Sequence, residues 1–240
     1  MADEREEILK NMKIKGISFD LEGPVIDTYE LHGAAHILAA RDGGVEVTME
    51  DLITRCRLLC GWASKTVIGD IIANFGPQLS LEETLARKNA HYLRLAANAV
   101  IPIRTGFRWF LAHVRGLGFR TSIGSATPRD ELKLLFQRCG LDALFTAEQI
   151  VCREDVAREK PAPDVFLKTA DKMEVAPAEQ LVIEDGVRGV VAALDAGSRV
   201  IGMSPRDRSE GIDPLREARA ERVFSRWDEP RLEAFIQTIR

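Results

Sequence analysis

The sequence predicts an α/β chain: a doubly wound parallel sheet with a run of helices inserted after its first strand. Three observations carry this. Met12-Lys13-Ile14-Lys15-Gly16 leads into the apolar run Ile17-Ser18-Phe19, which reads as a buried strand and stops at Asp20-Leu21-Glu22-Gly23-Pro24. No strand or helix interior tolerates that Gly-Pro well. From Thr28 to about Val100 the periodicity is helical, with no convincing strand, and from Ile101-Pro102 strands and helices alternate to the end. Such alternation means parallel strands covered by helices on both faces. The division expected is a core of residues 1–28 and 102–240 around an all-helical insert, 29–101.

Residues 3–11 are predicted as a short amphipathic helix, with Ile8 and Leu9 among charges, leading to a strand over 14–20. In the insert, Ile37-Leu38-Ala39-Ala40 closes a first helix before Asp42-Gly43-Gly44. Thr48, with Asp51 three residues on, starts a second. A third covers about 64–75 and stops at Gly76-Pro77. Ser80 with Glu83 reads as a capping box opening a fourth, which runs to about Asn98. Beyond the insert, a helix over 106–117 precedes a strand over 119–124 and a helix over 130–137. A short strand over 149–152 follows, then a helix over 163–173 with proline in its first turn. Strand 181–183, helix 187–196, strand 199–203, strand 221–224 and helix 229–239 complete the series, with Ser204 to Asp213 as a polar surface loop.

At 240 residues the chain can bury one substantial core and carry a smaller inserted domain. Apolar residues at 45% and charged residues at 29% are those of an ordinary globular protein. The formal net charge of -4 gives no basic field, which argues against nucleic acid or anionic membrane as a partner. No apolar run approaches membrane-spanning length. The acidic, helical N-terminus is no signal peptide, and the four cysteines (Cys56, Cys60, Cys139, Cys152) form no Cys-x-x-Cys pair. Reduced thiols and a cytoplasmic location are expected. Cys56 and Cys60 share a helical face and read either as small buried hydrophobes or as a metal pair. No histidine lies close enough in sequence to complete a zinc set, and the four histidines are scattered.

The chemistry collects where strands end. Side chains alternate along an extended segment, so Asp20 and Glu22 are expected on one side, at the carboxyl edge of the sheet. Ile123-Gly124-Ser125-Ala126-Thr127 ends a strand in hydroxyls, with Pro128 opening the next helix. Ser125 either caps that helix or, with the free amides around Ala126, binds a phosphate oxygen. Lys160 stands before Pro161 and Pro163, which stiffen its backbone; it is either a solvated loop lysine or a fixed charge. Glu184 and Asp185 follow the strand Leu181-Val182-Ile183 and either cap the next helix or meet Asp20 across the sheet around a hard divalent cation. Together these residues suit a phosphate ester. Asp20 would attack phosphorus, Glu22 would shuttle the proton, and Ser125 and Lys160 would hold oxygens that gain charge.

These four motifs (Asp20-Leu21-Glu22-Gly23, Ser125, Lys160 and Glu184-Asp185) resemble those of the haloacid dehalogenase superfamily, in the branch with an α-helical cap after the first strand. Lys160-Pro161-Ala162-Pro163-Asp164 and Glu184-Asp185-Gly186-x-x-Gly189 are close to the forms in β-phosphoglucomutase and phosphoglycolate phosphatase relatives. The resemblance implies a Rossmann-like core, a cap over 29–101 that closes over the site, and hinges near 27–30 and 101–106. It implies Mg²⁺ held by the Asp20 carboxylate, the Glu22 backbone carbonyl and Asp185, with Glu184 in support. It also implies a small phosphorylated metabolite as substrate, a phosphatase acting as monomer or homodimer, and a sugar phosphomutase as the alternative. Two positions depart from the family pattern: Glu22 replaces the usual aspartate, and Pro24 replaces threonine or valine. They leave open a third reading, a phosphate-binding or regulatory protein without turnover. The segment Cys60 to Lys65 resembles the specificity loop of the phosphomutase relatives, so Lys65 reads either as a contact for a second anionic group or as a solvated first-turn residue.

Overall fold

The computed structural model describes residues 12–58, 62–204 and 212–240. The helix expected over 3–11, the position of Cys60 and most of the loop after Ser204 lie outside them. Six strands form one sheet: β1 (Gly16–Phe19), β2 (Arg120–Gly124), β3 (Ile150–Val151), β4 (Gln180–Glu184), β5 (Arg199–Met203) and β6 (Val223–Phe224). Their order is β3-β2-β1-β4-β5-β6, and every neighbouring pair is parallel. The chain moves outward from β1 to β3, then returns to β4 and moves the other way. This reversal at β1 opens a crevice at the carboxyl ends of the central strands. Phe19 lies opposite both Ile123 and Ile183, so Asp20, Ser125 and Glu184 leave the sheet at nearly one level.

Among the described residues, four helices lie between β1 and the segment 101–106 that leads back to the sheet: α1 (Tyr29–Asp42), α2 (Met49–Arg55), α3 (Ser64–Asn74) and α4 (Leu81–Asn98). Thr48 and Asp51 make a reciprocal capping box at α2. At α4 only half of the expected box forms: Ser80 accepts from the Glu83 N–H, while the Glu83 carboxylate lies 3.6 Å from Arg87 instead. Ala40, Val45, Val47, Leu52, Cys56, Leu58, Val67 and Ile71 give these helices an apolar centre of their own. Cys56 is thus packed among hydrocarbon. Ala35, Tyr92 and Ala96 belong instead to the main core. The two connecting segments run side by side: Asp27 N–H donates to Pro102 O, Arg104 N–H donates to Val25 O, and Ile26 bridges Ile103 in antiparallel sense.

The remaining helices are α5 (Phe107–Gly116), α6 (Arg129–Cys139), α7 (Asp164–Lys172), α8 (Val187–Asp195), α9 (Ile212–Glu217) and α10 (Pro230–Thr238). Strand alternation sorts the core into two layers. Ile17, Phe19, Leu181, Ile183, Ile201 and Met203 pack with α5, α6 and α10 on one face. Val182 and Val200, whose neighbours point the other way, pack with α7, α8 and Leu215 of α9. Around Phe19 the rings of Phe107, Phe110, Phe145 and Trp227 meet it edge-on. The first strand is therefore held rigidly just before its acids begin. Among the described residues no helix is long and apolar enough to cross a membrane.

Candidate active site

Asp20 follows the last residue of β1, and its backbone N–H continues the ladder to Ile183 O. Lys160, on the loop before α7, reaches across the strand ends. Its Nζ donates to Asp20 Oδ1 at 2.5 Å, to Glu184 Oε1 at 2.7 Å and to Gly124 O at 3.1 Å, and lies 4.8 Å from the Phe166 ring centre. The lysine expected to be held stiffly is buried. Burial would strip its charge, but Asp20 and Glu184 outweigh that and keep it an ammonium.

Glu184 turns its other oxygen back on the chain, where Oε2 accepts from the Asp185 and Gly186 N–H groups at 2.9 Å each. Its carboxylate fills the space over Gly189, where an added Cβ would lie 1.7 Å from Oε1. The Gly at the end of the Glu-Asp-Gly-x-x-Gly stretch is thus required by the packing of this acid. Asp185 rests on Gly23 in the same manner: a Cβ there would lie 2.0 Å from Asp185 Oδ2, and Gly23 has φ +102.

Asp20, Glu184 and Asp185 bring carboxylate oxygens within 4.8 Å of one another, and all three residues are buried. Burial pushes Asp20 up to about 7, against the pull of Lys160 and with the help of Glu184. Burial, then Glu184 and Asp20, push Asp185 up as well, against Lys160 and Arg104. Three acids around one ammonium leave negative charge uncompensated, and every side-chain donor in the cluster is a carboxylate oxygen. That donor set fits a hard divalent cation such as Mg²⁺.

β1 ends at Phe19, so the strand alternation does not extend to Glu22, and a turn places it among a separate set of partners. Its Oε2 accepts from Thr28 Oγ1 (2.8 Å) and Tyr92 OH (2.7 Å) and lies 2.9 Å from His32 Nε2, while Oε1 accepts from Thr127 Oγ1 (2.7 Å). Burial alone would raise its pKa. His32, Tyr92 and Thr127 outweigh burial and hold this carboxyl well below the usual carboxylate range. His32 is itself pushed down by burial and by Lys88, against the pull of Glu22, so at neutral pH it serves as an uncharged N–H donor.

Ser125 Oγ is buried, donates to Thr127 Oγ1 at 2.9 Å and accepts from the Thr127 N–H, forming a chain Ser125–Thr127–Glu22. The Ser125 N–H is taken by Val151 O. Ala126 is exposed, and among the described residues its N–H has no protein acceptor. Lys65 is exposed in the first turn of α3 and makes no hydrogen bond or ion pair among the described residues. Nothing in this geometry joins it to Asp20.

Sequence reasoning missed the partners of Glu22. The histidines are not all scattered, since His32 and His36 stand four apart on α1 and pass onto one face, both near Lys88. That spacing, just after the acidic loop, was the available signal. Tyr92 stacks on His32 at 4.2 Å and comes from α4, with Lys88 Nζ 4.7 Å from its ring. Nothing in the helical pattern of α4 distinguishes these two from core positions.

A doubly wound sheet that gathers an aspartate, an ammonium, a hydroxyl loop and paired acids at one edge defines a class of α/β hydrolases whose crevice suits phosphoesters. Residues 17–203 match the family model of the haloacid dehalogenase-like hydrolases, and the chain belongs to that family. It lies in the branch of β-phosphoglucomutase and CbbY. The β-phosphoglucomutase of Bacillus subtilis is 24% identical over 93% of this chain and 100% of its own length. A phosphorylated carbohydrates phosphatase of Thermotoga maritima is 26% identical over 79% of this chain and 85% of its own. The crystal structure of a conserved haloacid dehalogenase-like protein from Agrobacterium tumefaciens superposes with a TM-score of 0.78 at 26% identity, covering 93% of this chain and 99% of that one.

Proposed function

We propose that this chain is a Mg²⁺-dependent phosphohydrolase of a small phosphorylated metabolite, working through phosphorylated Asp20 in the cytoplasm as a monomer or homodimer. The observation that carries this is the buried Asp20–Lys160–Glu184 contact beside Asp185, level with the Ser125 loop. Asp20, Asp185 and the Glu22 backbone carbonyl would hold the metal, with Glu184 in support. When bound, the ion offsets the charge of the phosphate and the carboxylates.

An oxygen of Asp20 forms the bond to phosphorus as the ester P–O bond breaks, and the departing oxygen takes a proton from Glu22. Glu22 then takes a proton from water, whose oxygen attacks phosphorus and breaks the bond to Asp20, leaving inorganic phosphate and a protonated Glu22. Lys160, the Ser125 hydroxyl and the Ala126 amide hold the oxygens on which charge spreads.

Glu22 as drawn by its four donors is ionised, the state that takes the proton. Two of those donors, His32 and Tyr92, stand in residues 29–101, which act as a cap in this reading. Withdrawal of the cap removes them and lets Glu22 carry a proton. Cap position thereby sets which half of the reaction Glu22 is ready for.

A panel of phosphate esters assayed with Mg²⁺ for released phosphate tests the proposal. Wild type is expected to hydrolyse some of them, and Asp20→Asn to lose roughly 10⁴-fold or more in kcat. A wild type inert on every ester would sink the phosphatase, and release surviving in Asp20→Asn would contradict the nucleophile. Likeness to β-phosphoglucomutase over 93% of this chain favours a second reading as a sugar phosphomutase. Transfer of phosphoryl to sugar, stimulated by a bisphosphate, separates the two.

A further inference from the structure

We infer that Arg104, on the second connecting segment, is a positioning residue that seats the metal-facing acid Asp185 by fixing the backbone on which it rests. The inference builds on the metal-dependent reading above. Three consecutive carbonyls after Glu22 are each held from outside the loop. Gly23 O accepts from Arg104 Nη1 at 3.1 Å, Pro24 O accepts from Trp227 Nε1 at 2.9 Å, and Val25 O accepts from the Arg104 N–H at 2.8 Å. Arg104 thus grips the loop through both backbone and side chain. Its Nη2 anchors on Ser225 O at 2.5 Å, in the segment after β6, so the grip has a fixed base in the core.

The geometry makes Gly23 the transmitting point. Gly23 has φ +102, and the Asp185 carboxylate fills the space where its Cβ would stand, so a shift of Gly23 toward that acid displaces it. Pro24 adds stiffness, having a fixed φ and no N–H of its own to offer an alternative bond. Groups one step removed from a metal that orient its ligands are worth about 10 to 100-fold in metal affinity. Arg104 also lies on the antiparallel pair formed by 25–27 and 102–104, the two segments joining α1–α4 to the core. Cap movement and metal affinity therefore share one guanidinium. By reciprocity, an ion that tightens the Asp185 site also tightens that pair.

The test titrates Mn²⁺, in place of Mg²⁺, into metal-free protein without substrate, followed by the loss of its free-ion electron paramagnetic resonance signal. Arg104→Met is expected to weaken binding about tenfold or more, and Arg104→Lys to recover part of that, since an ammonium keeps the charge but replaces the rigid two-nitrogen fork with a single nitrogen. Hydrogen exchange supplies a second reading. Mn²⁺ is expected to slow the amides of Asp27 and Arg104 in wild type and to leave them unchanged in Arg104→Met. Arg199→Gln, which breaks a two-bond pair with Glu221 at β5, supplies the control for general loosening: lower Tm with Mn²⁺ affinity within twofold of wild type.

Equal affinity in wild type and Arg104→Met overturns the inference, and so does an equal loss in Arg199→Gln. Should Arg104→Met fail to fold, Arg104→Lys decides alone: undiminished affinity and full protection on Mn²⁺ addition count against the role. A wild type with no Mn²⁺ affinity overturns the metal reading itself, a different failure from a wild type that binds and a variant that binds equally well.

Discussion

Glu22 has one more methylene than aspartate, and that length has a use here. It lets one carboxylate reach two hydroxyls of the core side, Thr28 and Thr127, and two groups on α1 and α4, His32 and Tyr92. A hydrogen bond to a charged group is worth about 1.5–3 kcal/mol, or roughly one to two pH units of pKa. Tyr92→Phe removes one donor to the ionised form, so the Glu22 pKa rises. The Glu22 titration, followed by carboxyl-carbon NMR, is expected to move upward by about one pH unit. An unmoved titration would mean that Tyr92 only fills space. Lys65→Ala makes the opposite kind of check: an unchanged KM for every ester removes Lys65 from the substrate contacts.

At the scale of single elements, the loops after β1, β2 and β4 matter because their strands are level and buried. Phe19 is fully buried among four aromatic rings, and Phe19→Ala is expected to cost about 3–5 kcal/mol in denaturant unfolding. The start of α8 is as demanding, for a different reason. Gly189→Ala puts a methyl into Glu184, which must release either Lys160 or the amides of Asp185 and Gly186. Loss of activity out of proportion to a stability change of about 1–3 kcal/mol is the expected signature. A variant as active as wild type would show that Glu184 can shift freely. Asp20, Ser125, Lys160, Glu184 and Asp185 were legible because each follows an apolar strand or borders prolines, where chain direction changes abruptly. Tyr92 and Lys88 were illegible because helical periodicity encodes only a face, and both share the buried face of α4 with Thr84 and Ala96. The sequence also could not reveal the turn after Asp20 that carries Glu22 to its own partners, since Asp20 and Glu22 alternate on paper as in an extended strand.

Across the whole molecule, the join between α1–α4 and the core is built from charges as well as hydrocarbon. Lys88 and Glu22 bear on Glu131 of α6, across that join. Burial and then Glu22 push the Glu131 carboxyl up to about 7, against the pull of Lys88. The folded protein therefore holds this proton up to about pH 7, while the unfolded chain releases it near 4.5. The stabilisation from the bound proton is complete below 4.5 and lost as pH rises through 7. Glu131 is half-buried, which screens the effect to on the order of 1 kcal/mol. Denaturant unfolding between pH 5 and 8 is expected to show a shallower decline in Glu131→Gln than in wild type. Identical slopes would show that the carboxyl titrates as it does in the unfolded chain.

The bond from Trp227 Nε1 to Pro24 O gives the loop after Asp20 its own optical reporter. Trp227 is 1% exposed, against 36% for Trp62 and 49% for Trp109. Acrylamide therefore quenches the emission of those two and spares the indole that touches the loop. In a protein carrying phenylalanine at 62 and 109, the remaining fluorescence comes from Trp227 alone. Any event that pulls Pro24 away from it is then visible as a red shift, without substrate, label or chemistry.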